Sequence, residues 1–398
     1  MNSKPYETPH VAVFMDRLPP GSFPKVAGEE VRQLNKLGLN TDLLLIRREV
    51  QEKDREWLNG VNLECLEDRL PRALKVDFKM PGFSFFSLFH LTAPIYGPFT
   101  LKRKYDLIIA HGTYTCFTAY SLRKFRNVPY VAFIWDPIIY ILQKVYSSTT
   151  LKYMLPILYP LGEKIDKIIV DSSEVVVLPS RYHLDLMRKL TDKPIKIVYP
   201  GVEVAEKILE KRGDYLLAVA RWEYGKKPFF YLDLLERLKE ENLLCNLVMV
   251  GPWKDRSLKL SFLREIKKRG FINYVKLYGP AGKDELIRLY QGARVLVHAV
   301  TESFGMIGLE AAAHGCPFII PRRSGVTDLF NHGNHGFFPE EGDLGAFVKY
   351  VEKLVSDERL AYRMGYEAWK VASQYTWDIH ARNLAKVLEE CIEIRNLE

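Results

Sequence analysis

Short β-branched apolar runs alternate with longer stretches of helical periodicity along nearly the whole chain, and that alternation confines it to an α/β architecture built on parallel strands. Strands are expected at 11–14, 42–46, 106–110, 130–134, 175–178 and 196–198, with helices at 28–37, 115–125, 151–164 and 180–189. The alternation resumes after the charged, poorly periodic stretch 203–212, which reads as a linker. Beyond it, strands are expected at 215–219, 246–250, 274–278, 295–298 and 318–320, and a final amphipathic pattern at 377–394 has no strand to follow. A length of 398 residues exceeds one ordinary core, so the reading is two doubly wound, Rossmann-like domains in series, 1–202 and 203–376, followed by a terminal helix, 377–398. Sheets of this kind hold ligands outside the carboxyl ends of their strands, which makes a cleft between the halves the first place to look.

The stretch 79–102 fits neither period. Pro81, Gly82, Pro94, Gly97 and Pro98 interrupt it, while Phe83, Phe85, Phe86, Phe89, Tyr96 and Phe99 load it with aromatics, so it reads as an irregular apolar insertion.

Composition removes several function classes. With 47% hydrophobic and 27% charged residues the chain is neither fibrous nor mainly disordered. Its apolar runs fall well short of the roughly 20 residues a spanning helix needs. The polar start, Met1 to His10, lacks the apolar run of a signal peptide, and the expected location is the cytoplasm. Five scattered cysteines without a CxxC pair argue against a disulfide framework or a cysteine zinc site. Of the net charge of +8, residues 1–200 contribute +7, from 28 basic and 21 acidic side chains. That excess suits nucleic acid, an acidic acceptor or an anionic membrane surface. No nucleic-acid-binding motif accompanies it, so nucleic acid is not an expected partner. The Phe-rich stretch beside Lys102, Arg103 and Lys104, with Lys144 and Lys152 further on, points to a membrane surface, and the alternative is aromatics packed beneath a lid.

The densest chemical signal runs from His298 to Pro317. An apolar strand ends at Glu302, a Ser303-Phe304-Gly305 turn follows, and a small-residue helix carries Glu310 before stopping at Gly315 and Pro317. Open amides at such a helix start suit a phosphate. Glu302 is placed to accept from sugar hydroxyls and Glu310 from two hydroxyls of a ribose. Upstream, a strand leads into Arg221-Trp222-Glu223-Tyr224-Gly225-Lys226, a loop presenting a planar fork and a point charge that together suit a diphosphate. No GxGxxG follows the first strand and no GxxxxGK[ST] occurs, which disfavours nicotinamide dehydrogenases and P-loop enzymes.

These residues, with the Tyr199-Pro200-Gly201-Val202 junction and the Trp377 terminal helix, resemble the retaining GT-B glycosyltransferases of the large group-1 family. The resemblance implies an α/β GT-B fold of two Rossmann-like domains facing a cleft, the terminal helix crossing back to the first. It implies a nucleotide-sugar donor on the second domain, a hydroxyl acceptor on the first, lipid-linked in one reading, and no metal or other cofactor. By resemblance Arg221 and Lys226 hold the diphosphate, Glu302 the transferred sugar, and Glu310 the ribose, with Ser303, Phe304 and Gly305 at the phosphates. Gly251 and Gly279 match positions where the family passes its backbone close to the base. Ala27-Gly28-Glu29-Glu30 resembles the family's glycine-rich loop, with Ala27 in place of a usual glycine. His111 matches a position near the anomeric carbon, its alternative being a histidine that satisfies a loop. Asp136 falls on the acceptor side or serves a turn. Ser324-Gly325 stands for the family's Gly-Gly, and Asp328 for its usual Glu. Two other readings stay open: a sugar-nucleotide epimerase of the same architecture, and a non-catalytic sugar-nucleotide-binding protein.

Overall fold

The structure is a computed structural model and describes residues 8–18, 22–49, 52–72, 75, 88–146 and 150–397. The chain divides into two compact units, 1–201 with 377–398, and 202–376.

The first unit holds a seven-stranded, wholly parallel sheet ordered β3-β2-β1-β4-β5-β6-β7. Its strands are β1 (His10–Met15), β2 (Asn40–Leu45), β3 (Leu63–Cys65), β4 (Leu107–His111), β5 (Tyr130–Phe133), β6 (Val176–Leu178) and β7 (Ile195–Ile197). β4 and β5 are buried throughout, and β1 in five of its six residues, as strands covered on both faces must be. The helices are α1 (Ser22–Lys36), α2 (Leu88–Thr100), α3 (Thr113–Arg126), α4 (Ile138–Ile141), α5 (Leu155–Ser172) and α6 (Leu184–Leu190). The order reverses between β1 and β4, so right-handed crossovers send α1 to one face and α2, α3 and α5 to the other.

The insertion is partly regular, contrary to the sequence reading. Phe83, Phe85 and Phe86 lie outside the described residues, but Leu88–Thr100 is helix despite Pro94 and Pro98. Pro98 cannot donate to the Pro94 carbonyl, and the Ser121 hydroxyl donates to it instead. Arg126 Nη1 donates to the Pro98 carbonyl at 2.7 Å. The Ser121 hydroxyl thus replaces the bond that Pro98 removes, Arg126 satisfies a carbonyl of the last turn, and Gly97 lets α3 approach, a Cβ there lying 3.2 Å from Thr118 Cγ2.

The second unit holds a five-stranded parallel sheet ordered β10-β9-β8-β11-β12: β8 (Tyr215–Val219), β9 (Asn246–Val250), β10 (Val275–Gly279), β11 (Val295–Val297) and β12 (Phe318–Ile319). Its helices are α7 (Pro228–Glu240), α8 (Arg256–Lys268), α9 (Lys283–Gly292), α10 (Met306–Ala313), α11 (Leu344–Ser356) and α12 (Glu358–Ala372). Here the order reverses between β8 and β11. The expected linker is instead part of this unit, because Arg212, 8% exposed, donates to the carbonyls of Tyr290, Gln291, Ala293 and His314. A guanidinium with four backbone acceptors fixes the segment in a way charge patterning does not reveal.

The last helix, α13 (Trp377–Leu397), belongs to the first unit and packs on α1. Gly201 permits this junction, since a Cβ there would fall 2.5 Å from the Trp377 Cα.

Candidate functional site

In the second unit, four expected residues gather at the carboxyl ends of the strands, on both sides of the point where the strand order reverses. β8 runs out through Ala220 into Arg221 and Trp222. Trp222 is fully buried, donates from Nε1 to the Val250 carbonyl at 3.1 Å and meets Tyr231 edge-on, so it anchors the start of the basic loop. A 3-10 turn, Tyr224–Lys226, follows, then Lys227 in the left-handed region with φ 48°, then Pro228 at the first position of α7. The turn aims Lys226 at the end of β11, where its ammonium pairs with Glu302 Oε1. His298 Nε2 lies 3.2 Å from the same oxygen. Burial alone would raise the Glu302 carboxyl, but Lys226 and His298 outweigh it and hold it well below the usual carboxylate range. Glu302 is therefore an ionised acceptor at neutral pH. A second pair runs alongside: Glu341 accepts from Lys227 Nζ at 2.6 Å and from the Thr301 amide at 2.9 Å.

The Ser303-Phe304-Gly305 turn is held from beneath. Phe304 is 1% exposed, so its ring is packed away from the site, and its carbonyl accepts from the Val326 amide at 2.6 Å. Gly305 takes φ 90° and opens α10 without a side-chain cap. α10 is buried all round, and Gly308 lets Val326 and Ile320 come close, a Cβ there lying 3.0 and 3.2 Å from their methyl carbons. Ser324 is buried and its neighbour Gly325 donates to the Glu302 carbonyl at 2.9 Å, while Asp328 is exposed on the 3-10 turn Gly325–Leu329.

Glu310 is not a solvated helix residue. It is 8% exposed, and its Oε2 accepts from the Tyr290 hydroxyl at 2.9 Å. Burial and the carboxylate both drive the Tyr290 phenol well above its ordinary value, so it stays a donor. This corrects the picture of two carboxylate oxygens waiting for ribose: the tyrosine already uses part of that acceptor and fixes its orientation. Tyr290→Phe and Glu310→Gln are each expected to weaken nucleoside diphosphate binding, by about 3- to 10-fold where the carboxylate loses the hydroxyl that orients it and by more where the carboxylate itself is replaced, measured by calorimetry. Unchanged affinity in both variants would remove Glu310 from the site.

Gly251 follows β9 and Gly279 ends β10, with φ 122° and 65°. Gly251 is required by the chain itself, because a Cβ would lie 1.9 Å from the Ala220 carbonyl oxygen. Gly279 follows a register shift in β10 and faces open space.

In the first unit the expectations change more. Gly28 lies inside α1, not in a phosphate loop, and a Cβ there would fall 1.9 Å from the Trp57 carbonyl oxygen. It is a close-packing glycine. His111 ends β4 as expected, but its side chain is wholly buried, so it is not a group held out to a sugar. Its Nδ1 accepts from Trp135 Nε1 at 3.2 Å, and its Nε2 stands 2.8 Å from Glu30 Oε2, which requires the proton on Nε2. Glu30, also wholly buried, meets His380 Nε2 with its other oxygen at 2.9 Å, and His380 Nδ1 lies 2.8 Å from the Tyr199 carbonyl. His380 thus presents both ring nitrogens to oxygen acceptors, one on the Glu30 carboxylate and one on the Tyr199 carbonyl. Asp136 turns out paired, its Oδ1 3.1 Å from His183 Nε2 and its carbonyl accepting from Thr113 Oγ1 at 2.7 Å.

Sequence reasoning gave no role to Tyr290, Glu341, Trp135 or His380; it used His298 only as the start of the motif and placed Glu30 in a glycine-rich loop, not in a buried cluster. A signal existed for two of them. Glu30 falls on the apolar stripe Ala27, Val31, Leu34 of α1, and His380 on the stripe Trp377, Ala381, Leu384 of α13, and polar residues on a buried stripe need partners.

Residues 25–206 match the model of Glycosyltransferase Family 4, and residues 203–371 that of Glycosyl transferases group 1, so the two together tile most of the chain. The chain belongs to the group 1 glycosyltransferases. It is 25% identical over 245 residues to the D-inositol 3-phosphate glycosyltransferase of Corynebacterium efficiens and 31% identical over 249 residues to that of Corynebacterium jeikeium. Each match takes in 56% of this chain and 58% of the relative, so the chain spans little more than half the length of these curated relatives. The GT-B fold of this group 1 member is shared with Anabaena HepE solved with UDP and glucose (TM-score 0.74, 14% identity, 96% of this chain and 100% of that one). It is shared equally with sucrose-phosphate synthase of Thermosynechococcus elongatus (TM-score 0.76, 14% identity, 97% and 100%).

Proposed function

We propose that this protein transfers a hexose from a nucleoside diphosphate sugar to an acceptor hydroxyl, with retention of anomeric configuration. The observation that carries the reading is the meeting of Lys226, on the loop after β8, with an ionised Glu302, after β11, at the point where the strand order reverses. The UDP and glucose in the Anabaena structure and the name shared by the corynebacterial relatives support a nucleotide-sugar donor. In this reading the second unit binds the donor and the first the acceptor.

Each residue then has a task. The bond between the anomeric carbon and the diphosphate oxygen breaks, and negative charge collects on the leaving diphosphate. Arg221, Lys226 and the amides at Ser303 to Gly305 neutralise that charge, and being fixed beforehand they need little reorganisation. Lys226 has three donors, so its pairing with Glu302 leaves it able to serve a phosphate as well. Glu302 accepts from hydroxyls of the transferred sugar and sets its orientation. Glu310, steadied by Tyr290, accepts from the ribose. The acceptor oxygen forms the new bond on the face the diphosphate leaves, and its proton passes to a phosphate oxygen of the donor. No metal is assigned a step, and the proposed site of action is the cytoplasm.

Arg221→Ala is expected to weaken nucleoside diphosphate binding by roughly 10- to 150-fold, the worth of one charge-assisted phosphate contact. Activity is expected to survive EDTA. Unchanged affinity in the variant, or a strict need for magnesium or manganese, would overturn this assignment. Anomeric configuration in the product is read by NMR. Inversion of the donor sugar without any acceptor would favour the epimerase reading, and absence of both transfer and slow donor hydrolysis the binding-protein reading.

A further inference from the structure

A surface helix in water normally turns its polar residues outward, and α2 does the reverse. Among its residues from Phe89 to Thr100, the exposed positions are Leu91, Ile95 and Phe99, spaced by four and all apolar. Ile95 is 70% and Phe99 76% exposed. The opposite side of the helix is committed to α3 through Gly97 and Ser121. α5 repeats the pattern in its N-terminal half, where Ile157 is 72% and Leu161 52% exposed, preceded by Tyr153 at 78%. α2, α3 and α5 lie in one layer on one face of the seven-stranded sheet, α3 touching both of the others. Their inner sides cover the sheet, so the two apolar stripes look out from the same side of the first unit.

The surrounding charge is mostly positive. From α2 through α3, residues 88–126, the chain carries six basic side chains (Lys102, Arg103, Lys104, Arg123, Lys124 and Arg126) and one acidic, Asp106. Lys102, Lys104, Lys124 and Arg126 are exposed. Lys152 lies over the exposed Tyr153 ring, 5.0 Å from its centroid.

We infer that this face docks on the surface of an anionic lipid bilayer. The charge decides against a second copy of the chain, because a twofold contact through this face would set cations against cations. The stripe on α2 offers no hydrogen-bonding side chain at an exposed position, which suits acyl chains and not a partner read by polar contacts. No described helix is long and apolar enough to cross a membrane, so the attachment is interfacial, with the apolar side chains inserted to about 5–10 Å and the cations at the headgroups. An enzyme of the proposed kind would then meet its acceptor at the lipid surface, although the docking itself stands without that reading.

Co-sedimentation with vesicles tests it in the absence of any donor or acceptor. The full chain is expected to sediment with phosphatidylcholine vesicles that contain phosphatidylglycerol, more weakly with phosphatidylcholine alone, and less as salt shortens the Debye length. Ile95→Ser and Phe99→Ser are each expected to lower binding by roughly tenfold or more, the worth of burying such a side chain. Lys102→Glu with Lys104→Glu is expected to remove the preference for phosphatidylglycerol. An unchanged thermal transition confirms that the exposed-site variants fold. No sedimentation of the parent protein at low salt, or binding indifferent to the stripe variants, overturns the inference. A dimer that Ile95→Ser and Phe99→Ser dissociate would also overturn it and assign the face to a second copy. Loss of docking leaves the transfer reading intact, and failure of transfer leaves docking intact.

Discussion

Replacing Glu302 with glutamine is expected to lower turnover of the nucleotide sugar about a hundredfold while affinity for the free nucleoside diphosphate stays within about threefold. The carboxylate shares one oxygen between Lys226 and His298 and is held ionised by them against the pull of its own burial. Hydrogen bonds from sugar hydroxyls to such a charged acceptor are about twice as strong as to a neutral amide, and they strengthen as the sugar ring loses electrons to the departing diphosphate. Glutamine keeps the shape and an acceptor oxygen but removes the charge. Lys226, released from its counter-charge, becomes a better partner for phosphate, so free nucleotide binding is expected to hold or tighten. Steady-state kinetics with the nucleotide sugar and calorimetry with the nucleotide separate the two effects. Equal losses in both measurements would mean that Glu302 addresses the nucleotide and not the sugar.

Glu30→Ala is expected to destabilise the first unit by roughly 3–5 kcal/mol, the cost of removing one partner from a buried ionic cluster. The carboxylate lies between the His111 and His380 rings, all three side chains essentially without solvent contact. Its removal leaves the buried His111 and His380 rings facing a void, and α13 loses its polar tie to α1. For a unit of this size the transition should fall by roughly 6–20 °C, followed by calorimetry of the full chain. Burial raises the Glu30 carboxyl, yet His111 and His380 outweigh burial and lower it to about 2. The unfolded chain takes up that proton near 4.5, so the carboxylate adds stability that is fully present above about pH 4.5 and is lost as pH falls through about 2. The parent should therefore lose stability steeply over that window and the alanine variant should lack that part of the acid limb. Identical acid limbs would show that Glu30 gains nothing from its partners.

The alternation of apolar runs and helical periods determined the α/β class, because a parallel strand covered on both faces must be continuously apolar and a crossover helix must carry one apolar face. β8 and β9 fall on the expected residues without adjustment. Lys226 and Glu302 were legible for a related reason: beyond the carboxyl end of a parallel strand a charged residue faces the ligand crevice, so local spacing already implies place, and Glu310 follows from Glu302 by its position on the helix after the turn. Partners were not legible. Tyr290 reaches Glu310 across 20 positions, Lys226 reaches Glu302 across 76 and His380 reaches Glu30 across 350, and no local pattern encodes such separations. The same limit explains Gly28, whose neighbour Trp57 sits on another element, and α2, whose two prolines read as breaks until Ser121 and Arg126 are brought to their carbonyls. Sequence by itself determined most strand and helix segments, α2 and β3 excepted, and which charged residues follow the strands, since both follow from burial pattern and chain direction. Only the tertiary structure decided which charges are paired, which histidines are buried and which apolar residues stay outside, because these depend on contacts between segments far apart in the chain.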